Sequence, residues 1–219
     1  MNKNLKCILI DLDGTIINSG PDLIDSLNHA LKNQNFHKIE EQVVGSLVGG
    51  GAKAMIEKAF EHMEKKASED QIELMVSNFL EFYFKNCSKK SRLYSNVIST
   101  LKVLKQNFRI GLCTNKKHNL TEKIVEDFKI KKYFDFILGS RPDIPLKPET
   151  DMLRFSIEKL GFKPENSIMV GDSDNDIIPA QKLGMKSIFV TYGYGIVNNL
   201  INPDYLIDDF KEIIEIVKN

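Results

Sequence analysis

The four apolar residues Cys7-Ile8-Leu9-Ile10 run directly into Asp11-Leu12-Asp13-Gly14-Thr15. A short, unbroken apolar run of this kind reads as a strand buried on both faces, and such strands belong to parallel sheets. Packing does not explain two carboxylates, two residues apart, at the end of one. An ionised carboxylate buried without a partner costs several kcal/mol. A chain that closes a core strand this way uses the acids, and the simplest partner for the pair is a divalent cation.

The first strand is expected over 6–12. Pro21 and Asp22 then sit where a helix starts, and Leu23, Leu27, Ala30 and Leu31 follow at helical spacing. To about residue 88 every periodic segment is helical, with one stripe on Ala52, Ile56, Ala59, Phe60 and Met63 and another on Ile72, Met75, Val76, Phe79, Phe82 and Tyr83. Gly49-Gly50-Gly51 separates two of these helices. Beyond residue 90 the pattern changes. Strands are expected at 109–114, 136–139, 167–171, 187–191 and 205–207, alternating with helices at 96–106, 119–129, 149–160, 175–183 and 208–218. Alternation of this kind means an α/β protein, a parallel sheet with helices on both faces. The helical run 18–89 is an insertion that divides the α/β core into 1–17 and 90–219.

Bulk properties exclude several classes. The chain of 219 residues carries 30 Lys and Arg against 30 Asp and Glu. A nucleic-acid binder is normally strongly basic, so none is expected as a partner. No apolar run approaches the length that spans a bilayer, and the basic N-terminal hexapeptide leads into a segment broken by Asp11 and Asp13, unlike a signal peptide. Cys7, Cys87 and Cys113 are widely spaced and read as small buried hydrophobes of a reducing compartment, so a cytoplasmic location is expected.

In open parallel sheets reactive groups gather at the carboxyl ends of the strands. Here those ends carry Asp11 and Asp13, then Thr114-Asn115-Lys116, then Lys147-Pro148 after a loop, then Gly171-Asp172-Ser173-Asp174-Asn175-Asp176. Acids, a hydroxyl and an ammonium on one sheet edge suit a phosphate ester held with a metal. Each has a plainer reading when taken alone: Asp11 and Asp13 as a turn, Thr114 as a helix cap, Lys147 as a loop lysine in solvent. Asp174 and Asn175 read as solvated or capping, and Asp208 and Asp209 as capping the last helix.

Together, in order and at strand ends, these four motifs resemble those of haloacid dehalogenase superfamily phosphatases, over nearly the whole chain. The resemblance implies a Rossmannoid parallel sheet with an inserted, all-helical cap domain. It also implies roles. Asp11 would be the nucleophile that forms an aspartyl-phosphate, and Asp13 the general acid and then base. Mg2+ would be held by Asp11, the backbone carbonyl of Asp13 and Asp172, with Asp176 reaching it through water. Thr114, Asn115 and Lys147 would bind the phosphoryl group, Lys147 tempering its repulsion from the acids.

Val48-Gly49-Gly50-Gly51-Ala52-Lys53 resembles the cap signature of phosphoglycolate phosphatases, with Gly50, Gly51 and Lys53 as substrate-binding candidates. A plain inter-helix turn with Lys53 in solvent is the other reading of that loop. Asn18-Ser19-Gly20-Pro21-Asp22 and Thr191-Tyr192-Gly193-Tyr194-Gly195 are also similar to that family. Asn18 stands where an aspartate is common, Val44-Gly45-Ser46-Leu47 lacks an arginine and a tryptophan, Arg141 replaces an acid, and two prolines are missing after Pro148. None of these departures touches the four motifs. The expected partner is a small-molecule phosphate ester, most simply phosphoglycolate, with no nucleic acid and no membrane, for a monomer or homodimer. A beta-phosphoglucomutase-like sugar phosphomutase, a pyrophosphatase and a nucleotidase are the alternatives.

Overall fold

A computed structural model of the chain describes residues 5–195 and 202–218; most of the basic N-terminal stretch noted above lies outside them. The chain divides into two compact units, one of Ser19–Arg92 and one of the residues on either side, up to Asn18 and from Leu93.

The unit Ser19–Arg92 is helical: α1 (Gly20–Asn33), α2 (Val44–Leu47), α3 (Gly51–His62) and α4 (Glu69–Asn86). The stripes read from the sequence are buried in part, with Ala52, Met63, Ile72, Val76 and Phe82 only half-buried. Leu23, Leu27, Ala30 and Leu31 of α1, Ile56, Ala59 and Phe60 of α3, and Met75, Phe79 and Tyr83 of α4 are all buried. Local chemistry sets the helix ends. Proline suits the first turn of α1, where its missing N–H has no partner to lose. Ser68 caps α4: its hydroxyl accepts the Gln71 N–H at 3.3 Å, and Gln71 Oε1 accepts the Ser68 N–H at 3.0 Å. Asp22, buried in α1, accepts from the main-chain N–H of Lys90 at 2.9 Å, the N–H of Ser91 at 2.8 Å and the Ser91 hydroxyl at 2.6 Å. It thereby fixes the segment on which the chain leaves this unit.

The other unit is built on strands β1 (Cys7–Ile10), β4 (Arg109–Lys117), β5 (Phe136–Ser140), β6 (Ser167–Gly171), β7 (Lys186–Val190) and β8 (Tyr205–Ile207); β2 (Ile17–Asn18) and β3 (Arg92–Leu93) are two-residue strands. The six long strands form one parallel sheet in the order β5-β4-β1-β6-β7-β8. β1 is central, with Ile10 opposite Leu112 of β4 on one side and Val170 of β6 on the other. Its four residues have no exposed surface. Each of Ile8, Leu9 and Ile10 contributes about 1.5–3 kcal/mol by burial. Helices α5 (Val97–Leu104), α6 (His118–Asp127), α7 (Asp151–Leu160), α8 (Asp174–Leu183) and α9 (Ile213–Lys218) alternate with the strands.

Element types follow the sequence reading, and several bounds differ. β1 is shorter than 6–12, because the chain turns at Asp11: Leu12 O accepts the N–H groups of Ile16 and Ile17 at 3.1 Å. β4 runs on to Lys117, past a register shift after Cys113, so it is three residues longer than the expected 109–114 and takes in Asn115 and Lys116. The last segment opens as a 3-10 turn (Phe210–Glu212) capped by Asp209, whose carboxylate accepts the Lys211 N–H at 3.0 Å. Asp208 pairs with the Thr191 hydroxyl. At α8 the cap is Ser173, ahead of Asp174 and Asn175. No helix among the described residues is long and apolar enough to cross a membrane.

Candidate active site

β1 and β6 are neighbours, so parallel pairing brings their carboxyl ends side by side. Asp11 follows β1 and Asp172 follows β6; the Asp11 N–H donates to Val170 O at 2.9 Å and continues the ladder. Asp176 lies in the first turn of α8. Asp11, Asp172 and Asp176 are buried, and each offers a carboxylate oxygen within 4.8 Å of the others.

Lys147 enters this cluster from the loop after β5. Its Nζ lies 2.8 Å from Asp11 Oδ1, 2.5 Å from Asp176 Oδ1 and 2.8 Å from the carbonyl of Cys113. Burial acts to lower the lysine pKa, and Asp11 and Asp176 outweigh it, holding the ammonium above its usual range. Burial pushes the Asp11 carboxyl up, with Lys147 pulling it back and Asp176 adding to the rise. Asp172 is pushed up to about 8, by burial first and then by Asp176 and Asp11.

Asn115 positions the lysine. Its Nδ2 donates to Lys147 O at 2.7 Å and its Oδ1 accepts the Lys147 N–H at 2.9 Å. The carboxamide expected to touch substrate is thus committed to the backbone of the loop. Thr114 is buried on β4 beside Cys113, and its hydroxyl accepts the Lys116 N–H at 3.3 Å. Asp13 keeps more exposure than Asp11, and its Oδ2 lies 2.9 Å from Nζ of Lys116, a side chain only 5% exposed. Asp176 Oδ2 accepts from the hydroxyl of Ser173 at 2.9 Å and its N–H at 3.2 Å.

The geometry therefore gathers Asp11, Asp172, Asp176 and Lys147 directly. Gly50, Gly51 and Lys53 belong to the helical unit. Gly50 and Gly51 have positive φ at the start of α3, and Lys53 is ion-paired with Glu69 on that unit's surface. Sequence reading assigned no role to Lys116, although it adjoins Thr114 and Asn115; the register shift in β4 hid which side of the strand it serves. The Asp172 carboxylate also accepts main-chain N–H groups of Tyr194 and Gly195, contacts that side-chain chemistry cannot announce.

The donor set fits a divalent metal. The oxygens are hard, and the three carboxylates, once ionised, exceed the one ammonium by two negative charges, the charge a divalent cation would balance. Asp176, with its oxygens on Lys147 and Ser173, is the member least available for direct ligation.

The family model of haloacid dehalogenase-like hydrolases matches residues 8–190. The chain belongs to that family. Among the haloacid dehalogenase-like hydrolases it stands with the phosphatases. A phosphoglycolate phosphatase of Haemophilus influenzae (strain 86-028NP) is 35% identical over 99% of this chain and 100% of its own length. The crystal structure of a predicted phosphoglycolate phosphatase from Haemophilus somnus 129PT is also 35% identical, covers 98% of this chain and 99% of its own, and superposes with a TM-score of 0.91. A predicted phosphatase from Clostridium acetobutylicum, 26% identical over 98% of this chain and 99% of its own, gives 0.84. This hydrolase is accordingly an enzyme of the phosphoric monoester hydrolase kind.

Proposed function

We propose that the protein is a Mg2+-dependent phosphatase that works through an aspartyl-phosphate, most simply on phosphoglycolate, releasing glycolate and phosphate. The observation that carries the reading is the single ammonium of Lys147 among the buried acids Asp11, Asp172 and Asp176. Full-length similarity to phosphoglycolate phosphatases supports the substrate.

In this reading Asp11 attacks phosphorus, a P–O bond forms to its carboxylate, and the ester P–O bond breaks. Asp13 gives its proton to the departing alkoxide. Asp13 then takes a proton from a water molecule that attacks the same phosphorus, and the acyl phosphate bond breaks to free Asp11. Lys116 holds the Asp13 carboxylate in place through these steps. Thr114 and Lys147 bind phosphoryl oxygens, and Asn115 acts through the backbone of Lys147. Asp11, the backbone carbonyl of Asp13 and Asp172 would hold Mg2+, with Asp176 reaching it through water; when bound, the ion offsets the charge shared by phosphate and acids.

The helical unit is the cap in this proposal, taken as 18–89 from the sequence, against Ser19–Arg92 in the compact unit. Gly50, Gly51 and Lys53 are proposed to choose among substrates. The enzyme is proposed to be cytoplasmic, as a monomer or homodimer.

The test is phosphate release from phosphoglycolate, sugar phosphates, nucleotides and pyrophosphate, by the wild type and by Asp11→Asn, with and without Mg2+. Phosphoglycolate is expected to lead, and Asp11→Asn is expected to fold and lose at least about 10,000-fold in turnover. Near-normal release by folded Asp11→Asn would refute the nucleophile. Isomerisation of a sugar phosphate dependent on a bisphosphate primer would point to a mutase.

A further inference from the structure

Asp172 is gripped by the loop Tyr192-Gly193-Tyr194-Gly195, which lies outside the four motifs. Its Oδ2 accepts the main-chain N–H of Tyr194 at 2.7 Å and that of Gly195 at 3.4 Å. The loop presses directly on the aspartate. A Cβ at Gly193 would lie 2.3 Å from Asp172 Cβ, and one at Gly195 would lie 1.9 Å from the Asp172 carbonyl oxygen, so any side chain there would force the loop away.

The outer side of the same loop is pinned by two phenols. Tyr192 donates to the carbonyl of Thr15 at 2.8 Å, and its ring packs on Tyr94 with centroids 4.6 Å apart. Tyr194 donates to Asn18 Oδ1 at 2.9 Å. Thr15 and Asn18 lie on the stretch that follows Asp11 and Asp13, so the loop ties the acids after β1 to the acid after β6.

We propose that Tyr194 is a positioning residue for the metal site: its phenol, anchored on Asn18, fixes the loop whose amides orient the Asp172 carboxylate. The amides engage Oδ2 and the Thr15 hydroxyl donates to Oδ1 at 3.4 Å, so the carboxylate that would serve the ion is oriented from both oxygens. Outer partners of this sort hold a ligand in its binding rotamer, and their loss is felt as weaker metal affinity. The inference rests on the metal-site reading above and adds a residue to it.

Calorimetric titration of the full chain with MgCl2, beside the melting temperature of each metal-free protein, tests it. Tyr194→Phe removes only the phenol oxygen and keeps the amide. It is expected to weaken Mg2+ binding about three- to tenfold, as is Asn18→Ala, which breaks the same bond from the other side. The double variant is expected to be no weaker than Tyr194→Phe alone, because that change already removes the bond to Asn18. Tyr133→Phe, elsewhere in the same unit, is expected to leave the affinity unchanged. Unaltered Mg2+ affinity in Tyr194→Phe or in Asn18→Ala would overturn the inference. So would additive losses in the double variant, or a lowered melting temperature with affinity intact, which is what a purely structural role gives. A wild type that takes up no Mg2+ would overturn the metal-site reading as well, whereas equal uptake by wild type and variants removes only the role of Tyr194.

Discussion

Lys147 meets Asp11 across 136 residues of chain, Nζ to Oδ1 at 2.8 Å. Both groups are buried, and the same ammonium also serves Asp176. One cation therefore restrains acids that would otherwise repel each other in a space with little water.

Removing that cation has a predictable cost. Lys147→Met keeps much of the side-chain volume and leaves the acids uncompensated, so the metal-free protein should lose about 3–5 kcal/mol, read from urea unfolding. Turnover should fall at least about 100-fold. A loss of stability below about 1 kcal/mol would mean that the acids do not depend on Lys147 for compensation.

Metal should stabilise the fold. At a concentration of divalent cation about 100 times its dissociation constant, the gain over chelated protein is about 2.7 kcal/mol. Thermal unfolding with and without a chelator measures it, and Asp172→Asn should lose most of the gain. An equal gain in that variant would move the ion away from Asp172.

The helical unit depends on one buried acid. Asp22→Ala strands the N–H groups of Lys90 and Ser91 and the Ser91 hydroxyl. The expected loss is about 3 kcal/mol, with faster hydrogen exchange at those two amides. Unchanged protection at Lys90 and Ser91 would show that other contacts hold that segment.

Asp135 supplies a pH dependence away from the active site. It accepts from the Ile110 N–H at 2.9 Å, lies 2.8 Å from Arg109 and 2.7 Å from Lys105. Burial acts to raise its pKa, but the bonds from Lys105, the Ile110 amide and Arg109 outweigh it and hold the carboxyl below its ordinary value. The unfolded chain therefore binds the extra proton first. The contribution is complete above the unfolded pKa of about 3.9 and fades as pH falls through the lower folded value. Asp135→Asn should cost about 1–2 kcal/mol at neutral pH, and the gap to wild type should close in acid. A gap that persists unchanged in acid would show the effect is steric.

The strands were legible because burial on both faces removes polar residues from them; Ile8, Leu9 and Ile10 could hardly be anything else. Asp11 and Asp13 were legible because carboxylates at the end of a buried strand are costly; Asp172 and Asp176 were read from the motif after the fourth strand and the resemblance that the four motifs carry together. Bounds were harder. β4 continues past the expected end at Thr114 through the polar residues Asn115, Lys116 and Lys117, and its register shift is set by tertiary pairing. The work of Asn115 was hidden for a related reason: it acts on the backbone of Lys147, and a backbone partner leaves no mark on residue type. The same holds for the amides of Tyr194 and Gly195 on Asp172.

The order of the strands has a consequence for how the enzyme is made. Translation delivers Asp11 early, Lys147 much later and Asp172 and Asp176 last, although β1 and β6 end up adjacent. A ribosome paused before Ser167 carries an aspartate and a lysine of opposite sign and nothing that crowds them. The cluster of like charges needs β6 beside β1, so when β6 and its acids are made only three of the six strands, β1, β4 and β5, precede them.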